Sequence, residues 1–143
     1  MQISEILKRK GSAVVTIGQE ETVAAAVAEM ARSNVGALVV SRDGRAVEGI
    51  VSERDVARAL DSLGGALLDK PVLTIMTSEV RAVSPDDEVE ALAVIMTEHR
   101  MRHVPVLQGG ALVGIVSIGD VVKSRIEELE QDREALFRYI EAR

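Results

Sequence analysis

Two strings of this chain share the pattern Gly-Ile-Val-Ser-x-x-Asp, one running from Gly49 to Asp55 and the other from Gly114 to Asp120. Ser-x-x-Asp after an apolar run is a capping box: the Ser hydroxyl accepts an orphan helix N–H, and the Asp carboxylate reaches back to the cap residue. Such a cap is worth about 1 kcal/mol and accounts for both residues without any ligand. The same geometry also suits a nucleotide. A helix N-terminus presents free N–H groups and partial positive charge to a phosphate. An Asp one turn in can accept hydrogen bonds from the vicinal hydroxyls of a ribose. Spacing alone leaves both readings open.

Other chemistry is less well supported. His99 and His103 are spaced i, i+4, as in metal-binding helices, but Arg100 stands where a Glu would assist and Pro105 follows closely, so His103 is expected to begin a strand. No metal site is expected. With no Cys there is neither a thiolate nucleophile nor a disulfide. No Gly-x-Ser-x-Gly or phosphate-loop string occurs. Asp55 and Asp120 hold equivalent places in a repeat, which suits duplicated binding better than separate acid and base roles. The chain is expected not to be an enzyme.

The elements that position these residues follow from an internal duplication with a period near 66 residues. Val14 aligns with Val80, Val23 with Val89, Met30 with Met96 and Val40 with Val106, with one residue skipped near Arg45. Gly49 to Val56 matches Gly114 to Val121 at six of eight positions. Each copy reads as strand, helix, strand, strand, helix. Val23, Ala26, Val27 and Met30 fall on one helical face, as do Val89, Leu92, Ala93 and Met96. Ser84-Pro85-Asp86-Asp87-Glu88 reads as the start of the latter helix, with Ser84 as its cap. Apolar runs at Gly36–Val40 and Val104–Leu107 turn back through Arg42–Arg45 and Gln108–Gly110 as hairpins. The fold class is α+β, with two units too small to bury both faces alone and therefore packed on each other. A lead-in at 1–13, a first repeat at 14–70, linker and second repeat at 71–124 and a C-terminal helix at 125–143 complete the division. In that last helix Val122, Ile126, Leu129, Leu136 and Ile140 step by threes and fours if Arg133 takes one position. This is a seam either for the body of the same chain or for a second subunit.

The order of elements, with RHVPV and GIVSIGDV in the second half and Ile75-Met76-Thr77 ahead of it, resembles a tandem pair of cystathionine-β-synthase (CBS) domains from Val14 to about Lys123. Val39 stands where that family usually has a strand Pro, with little consequence expected. The resemblance implies two β-α-β-β-α repeats about a pseudo-twofold axis, with adenine ligands in clefts between them. These are AMP, ADP, ATP, NAD(H)-type dinucleotides or, less favoured, S-adenosylmethionine. Carried onto this chain, Asp120 holds a ribose and Ser117 sits near phosphate, with the backbone of Val14, Val35, Gly36 and Ala37 framing the adenine. The second cleft uses Asp55 and Ser52, with Val80, Met101, Arg102 and His103 opposite. Arg54 and Arg102 make that second cleft the more positive one, suited to the ligand with more phosphate. A regulatory module follows, signalling through an effector protein or through a homodimer; the alternative is a ligand-free structural module of the same fold.

Composition narrows the partners. A net charge of −6 and only two aromatic residues among 143 argue against nucleic acid. No apolar run approaches the roughly 20 residues that cross a bilayer. A cytoplasmic location is expected.

Overall fold

A computed structural model describes residues 1–142. Helix α1 (Ile3–Lys10) is followed by β1 (Thr16–Ile17), α2 (Val23–Ser33), β2 (Ala37–Val40), β3 (Gly49–Ser52) and α3 (Glu53–Leu63). Two 3-10 segments, Gly64–Asp69 and Val72–Thr74, lead into α4 (Val89–Glu98), β4 (His103–Gln108), β5 (Ala111–Ser117) and the long α5 (Ile118–Glu141). Both hairpins form as antiparallel pairs: Ala37 lies opposite Ser52 in one and His103 opposite Ser117 in the other.

The duplication is visible in backbone detail. Asn34 and Arg100, one at each helix-to-strand corner, adopt left-handed φ values of 52° and 53°. The next residues close the same bond, Val35 N–H to Met30 O and Met101 N–H to Met96 O. Glu53 N–H donates to Gly36 O, and Ile118 N–H donates to Arg102 O.

Two expectations need correction. The opening strand of the second repeat shrinks to one parallel bridge between Val83 and Val106, whereas Thr16 and Ile17 form a short ladder with Val39 and Val40. The cause is the Val39-for-Pro difference: Val39 N–H donates to Val15 O, and Pro105, its equivalent, has no N–H to give. That substitution has a structural consequence after all. Ser84 does not cap α4, whose N-cap is Glu88. Ser84 instead opens a turn, its N–H on Asp87 Oδ2 and its carbonyl accepting Asp87 N–H.

The aliphatic core is divided between the halves in an exchanged manner. Ile3, Ile6 and Leu7 of α1 pack with Val89, Leu92, Met96, Val104 and Val116 of the second repeat. Val72, Ile75 and Met76 of the linker pack in the first repeat, against Met30, Leu38, Val40 and Val51. The two lead-ins hold the same place: a Cβ on Gly114 would lie 2.6 Å from Leu7 Cδ2, and one on Gly49 would lie 2.9 Å from Met76 Sδ. Each glycine is needed for that close approach.

The described residues leave the predicted seam of α5 largely uncovered. Val122, Ile126, Leu129, Leu136 and Ile140 are each more than half exposed. Arg133 lies over the Phe137 ring at 5.5 Å. Among the described residues no helix is long and apolar enough to cross a membrane.

Candidate functional site

Each hairpin delivers its last strand into a helix at a Ser. Extended backbone at Ser52 (φ −123°) and Ser117 (φ −97°) turns the chain so that the hydroxyl meets the helix N-terminus. Both capping boxes form. Asp55 N–H donates to Ser52 Oγ at 3.3 Å, while Ser52 N–H and its hydroxyl donate to Asp55 Oδ2 at 2.8 and 3.0 Å. Asp120 N–H donates to Ser117 Oγ at 3.2 Å, and Ser117 N–H donates to Asp120 Oδ2 at 2.9 Å. The caps fix both carboxylates in place and, at Asp55, leave Oδ1 without a hydrogen bond among the described residues.

Beyond the caps the two junctions differ. Asp55 opens on a cavity of about 620 Å³, inside the range of roughly 300–1,000 Å³ typical of small-molecule sites. Its walls come from both repeats: Ser52, Arg54 and Asp55 from the β3–α3 junction, Val80 from the linker, Met101, Arg102 and His103 from the α4–β4 corner. These seven predicted residues are brought together as a set. Gly36 and Ser117, assigned by resemblance to the other cleft, also line this cavity. Arg58, Arg100, Glu53 and Glu79 line it as well and were not anticipated. Arg58 sits one helical turn after Arg54, a spacing that could have flagged it. Arg100 reaches the cavity through the left-handed corner, which its residue type does not announce.

Four arginines thus face three acids in a chain of net charge −6. None of the four forms an ion pair among the described residues. Burial, reinforced by the charges of Arg102 and Lys10, holds His103 below the usual imidazole value, with Glu53 and Asp120 opposing. The imidazole is therefore neutral near pH 7. His99 ends α4 and His103 begins β4, so the pair does not share a helical face. Among the described residues no group of three or more potential metal ligands gathers.

At the other junction the carboxylate is already engaged. Lys10 Nζ donates to Asp120 Oδ2 at 2.7 Å and to Ile115 O at 2.9 Å. Burial would raise the Asp120 carboxyl, but the Lys10 ammonium and the Ser117 N–H outweigh it and hold it below the ordinary carboxylate value. Asp120, Val14, Val35 and Ala37, expected to share a cleft, do not line the cavity at Asp55. Ala37 is buried at 5% exposure, and Val35 borders a separate apolar groove of about 430 Å³ between α2 and α3.

Repeats of β-α-β-β-α, exchanged lead-ins and a groove walled by both halves define a duplicated α+β module with a shared interlobe pocket. The chain belongs to the CBS-domain family, whose profile matches residues 3–62 and 72–127. It is 36% identical to the mitochondrial CBS domain-containing protein CBSX3 of Arabidopsis thaliana, an alignment covering 97% of this chain and 71% of that protein. The crystal structure of the CBS-domain containing protein ATU1752 from Agrobacterium tumefaciens superposes with a TM-score of 0.85 at 39% identity, covering 87% of this chain and 99% of that one. A CBS domain protein from Pyrobaculum aerophilum, PAE2072, solved in complex with AMP, is 35% identical with a TM-score of 0.73, covering 84% of this chain and 89% of that one.

Proposed function

We propose that the chain is a non-catalytic regulatory module that binds an adenine nucleotide in the Asp55 cavity. The observation that carries this reading is the pairing, in one interlobe cavity, of a capped carboxylate with an open oxygen and four arginines that form no ion pair among the described residues. The carboxylate suits a ribose diol, and planar guanidinium groups suit phosphate oxygens in bidentate geometry. Four such groups favour a triphosphate over AMP or a dinucleotide. The AMP complex of the Pyrobaculum relative supports the ligand class.

A bound nucleotide contacts both repeats and shifts the balance between two arrangements of the halves by its differential affinity for them. The output then passes to an effector protein or to the assembly of two copies. For the latter, the exposed seam of α5 supplies a surface at coiled-coil spacing.

Isothermal titration of the full chain with AMP, ADP, ATP, NADH and S-adenosylmethionine tests the reading. ATP should bind most tightly, and Arg102→Ala should weaken ATP more than AMP. Equal losses for both ligands would remove the phosphate role of Arg102, and no binding by any of the five would overturn the proposal.

A further inference from the structure

We propose that Lys10 is a built-in occupant of the Asp120 groove and sets the stoichiometry, so that the chain takes a single nucleotide, at Asp55, and keeps the other groove closed with its own first helix. The inference rests on the nucleotide reading above and concerns which of two related grooves is used.

Lys10 ends α1, a helix anchored by Ile3, Ile6 and Leu7 in the second repeat's core and by the Arg9–Glu127 ion pair to α5. Its ammonium spends one proton on Asp120 Oδ2 and another on Ile115 O, both at the β5–α5 junction. A ribose diol needs that same carboxylate. The contact is only about one third exposed on the lysine side and one quarter on the aspartate side, so water screens it incompletely. A ligand entering here must displace an ion pair and a carbonyl bond together.

The first repeat shows why its own groove escapes this. Leu7 and Met76 hold equivalent places against Gly114 and Gly49. Three residues beyond each come Lys10 and Glu79. The position that places an ammonium on Asp120 therefore carries a carboxylate beside Asp55, and Glu79 cannot neutralise it. In the duplicated sequence Gly119 and Gly36 hold the places of Arg54 and Arg102, so Asp120 has no counterpart of those two guanidinium groups. Charge and hydrogen bonding both select against the Asp120 groove.

Isothermal titration with ATP decides the matter. The wild-type chain should bind one ATP per chain; Lys10→Met should bind two, and Lys10→Met combined with Asp120→Asn should return to one. Lys10→Gln serves as a second variant should Lys10→Met fail to show a cooperative thermal transition. Two ATP per wild-type chain would overturn the inference and leave the nucleotide reading intact. A single site in both Lys10 variants would equally overturn it. Failure of the wild type to bind any adenine nucleotide would overturn the nucleotide reading itself and this inference with it.

Discussion

Asp55 carries two duties that a pair of substitutions can separate. Its Oδ2 accepts from the N–H and hydroxyl of Ser52, and its Oδ1 is the oxygen left for a ligand. Asp55→Ala removes both. Loss of the cap costs about 1 kcal/mol, which lowers Tm by roughly 4 °C for a domain of this size. Loss of one hydrogen bond to a charged group costs about 1.5–3 kcal/mol of binding, or roughly 10- to 150-fold in affinity. Asp55→Asn keeps an amide oxygen to accept from Ser52 but turns an NH₂ towards the ligand. It should unfold near the wild-type temperature and still lose ATP affinity to a similar degree. Titration calorimetry with ATP and a thermal melt on the same samples supply both numbers. If Asp55→Asn binds ATP as tightly as the wild type, Oδ1 holds no ligand and the residue is a helix cap alone.

Further outcomes follow from the geometry. Gly49→Ala places a Cβ 2.8 Å from the backbone oxygen of Thr77, whereas Gly114→Ala meets only the Leu7 side chain, so the former should be the more destabilising in urea titrations, each costing about 1–3 kcal/mol. Arg100→Asn, copying Asn34 at the matching left-handed corner, should raise Tm while weakening ATP binding; a fall in Tm would mean that the Arg100 backbone is not strained. His103, faced by Arg102, Lys10, Glu53 and Asp120, binds a proton less readily folded than unfolded, so stability should decline as pH falls through about 6.5. Asp120, also lowered, contributes stability above about pH 4 that is lost as pH falls further; urea midpoints across pH should lose the first step in His103→Gln and the second in Asp120→Asn. With two copies joined through the α5 seam as proposed, Ile126→Asp should shift sedimentation from dimer to monomer, and an unchanged sedimentation coefficient would exclude that seam from assembly.

The sequence was most legible where the signal is local. The two Gly-Ile-Val-Ser-x-x-Asp strings sit at strand-to-helix junctions with both caps formed, and the hairpins turn at the positions their Gly and Asp residues mark. The grouping of residues around Asp55 came from the CBS resemblance, and the fold places those residues on one cavity. What escaped depends on contacts distant in sequence. Nothing local in Lys8-Arg9-Lys10 says that one of three cations will meet a carboxylate 110 residues away. Ile3, Ile6 and Leu7 have helical spacing, yet only the fold shows that they fill the far repeat. Ser84 followed by Pro and acids resembles a cap, but the paired turn at Gly18–Glu21 shows that this corner is a tight turn in both halves.

The crossed lead-ins make the halves hostages to one another. A protease nick in the 3-10 stretch ahead of Pro71 would give an amino-terminal piece carrying the α1 side chains that roof the other piece, and a carboxy-terminal piece carrying Val72, Ile75 and Met76, which roof the first. Neither piece could close its own interior. Mixed together they would regain structure only as a pair, so the backbone break itself would be tolerated while physical separation would not.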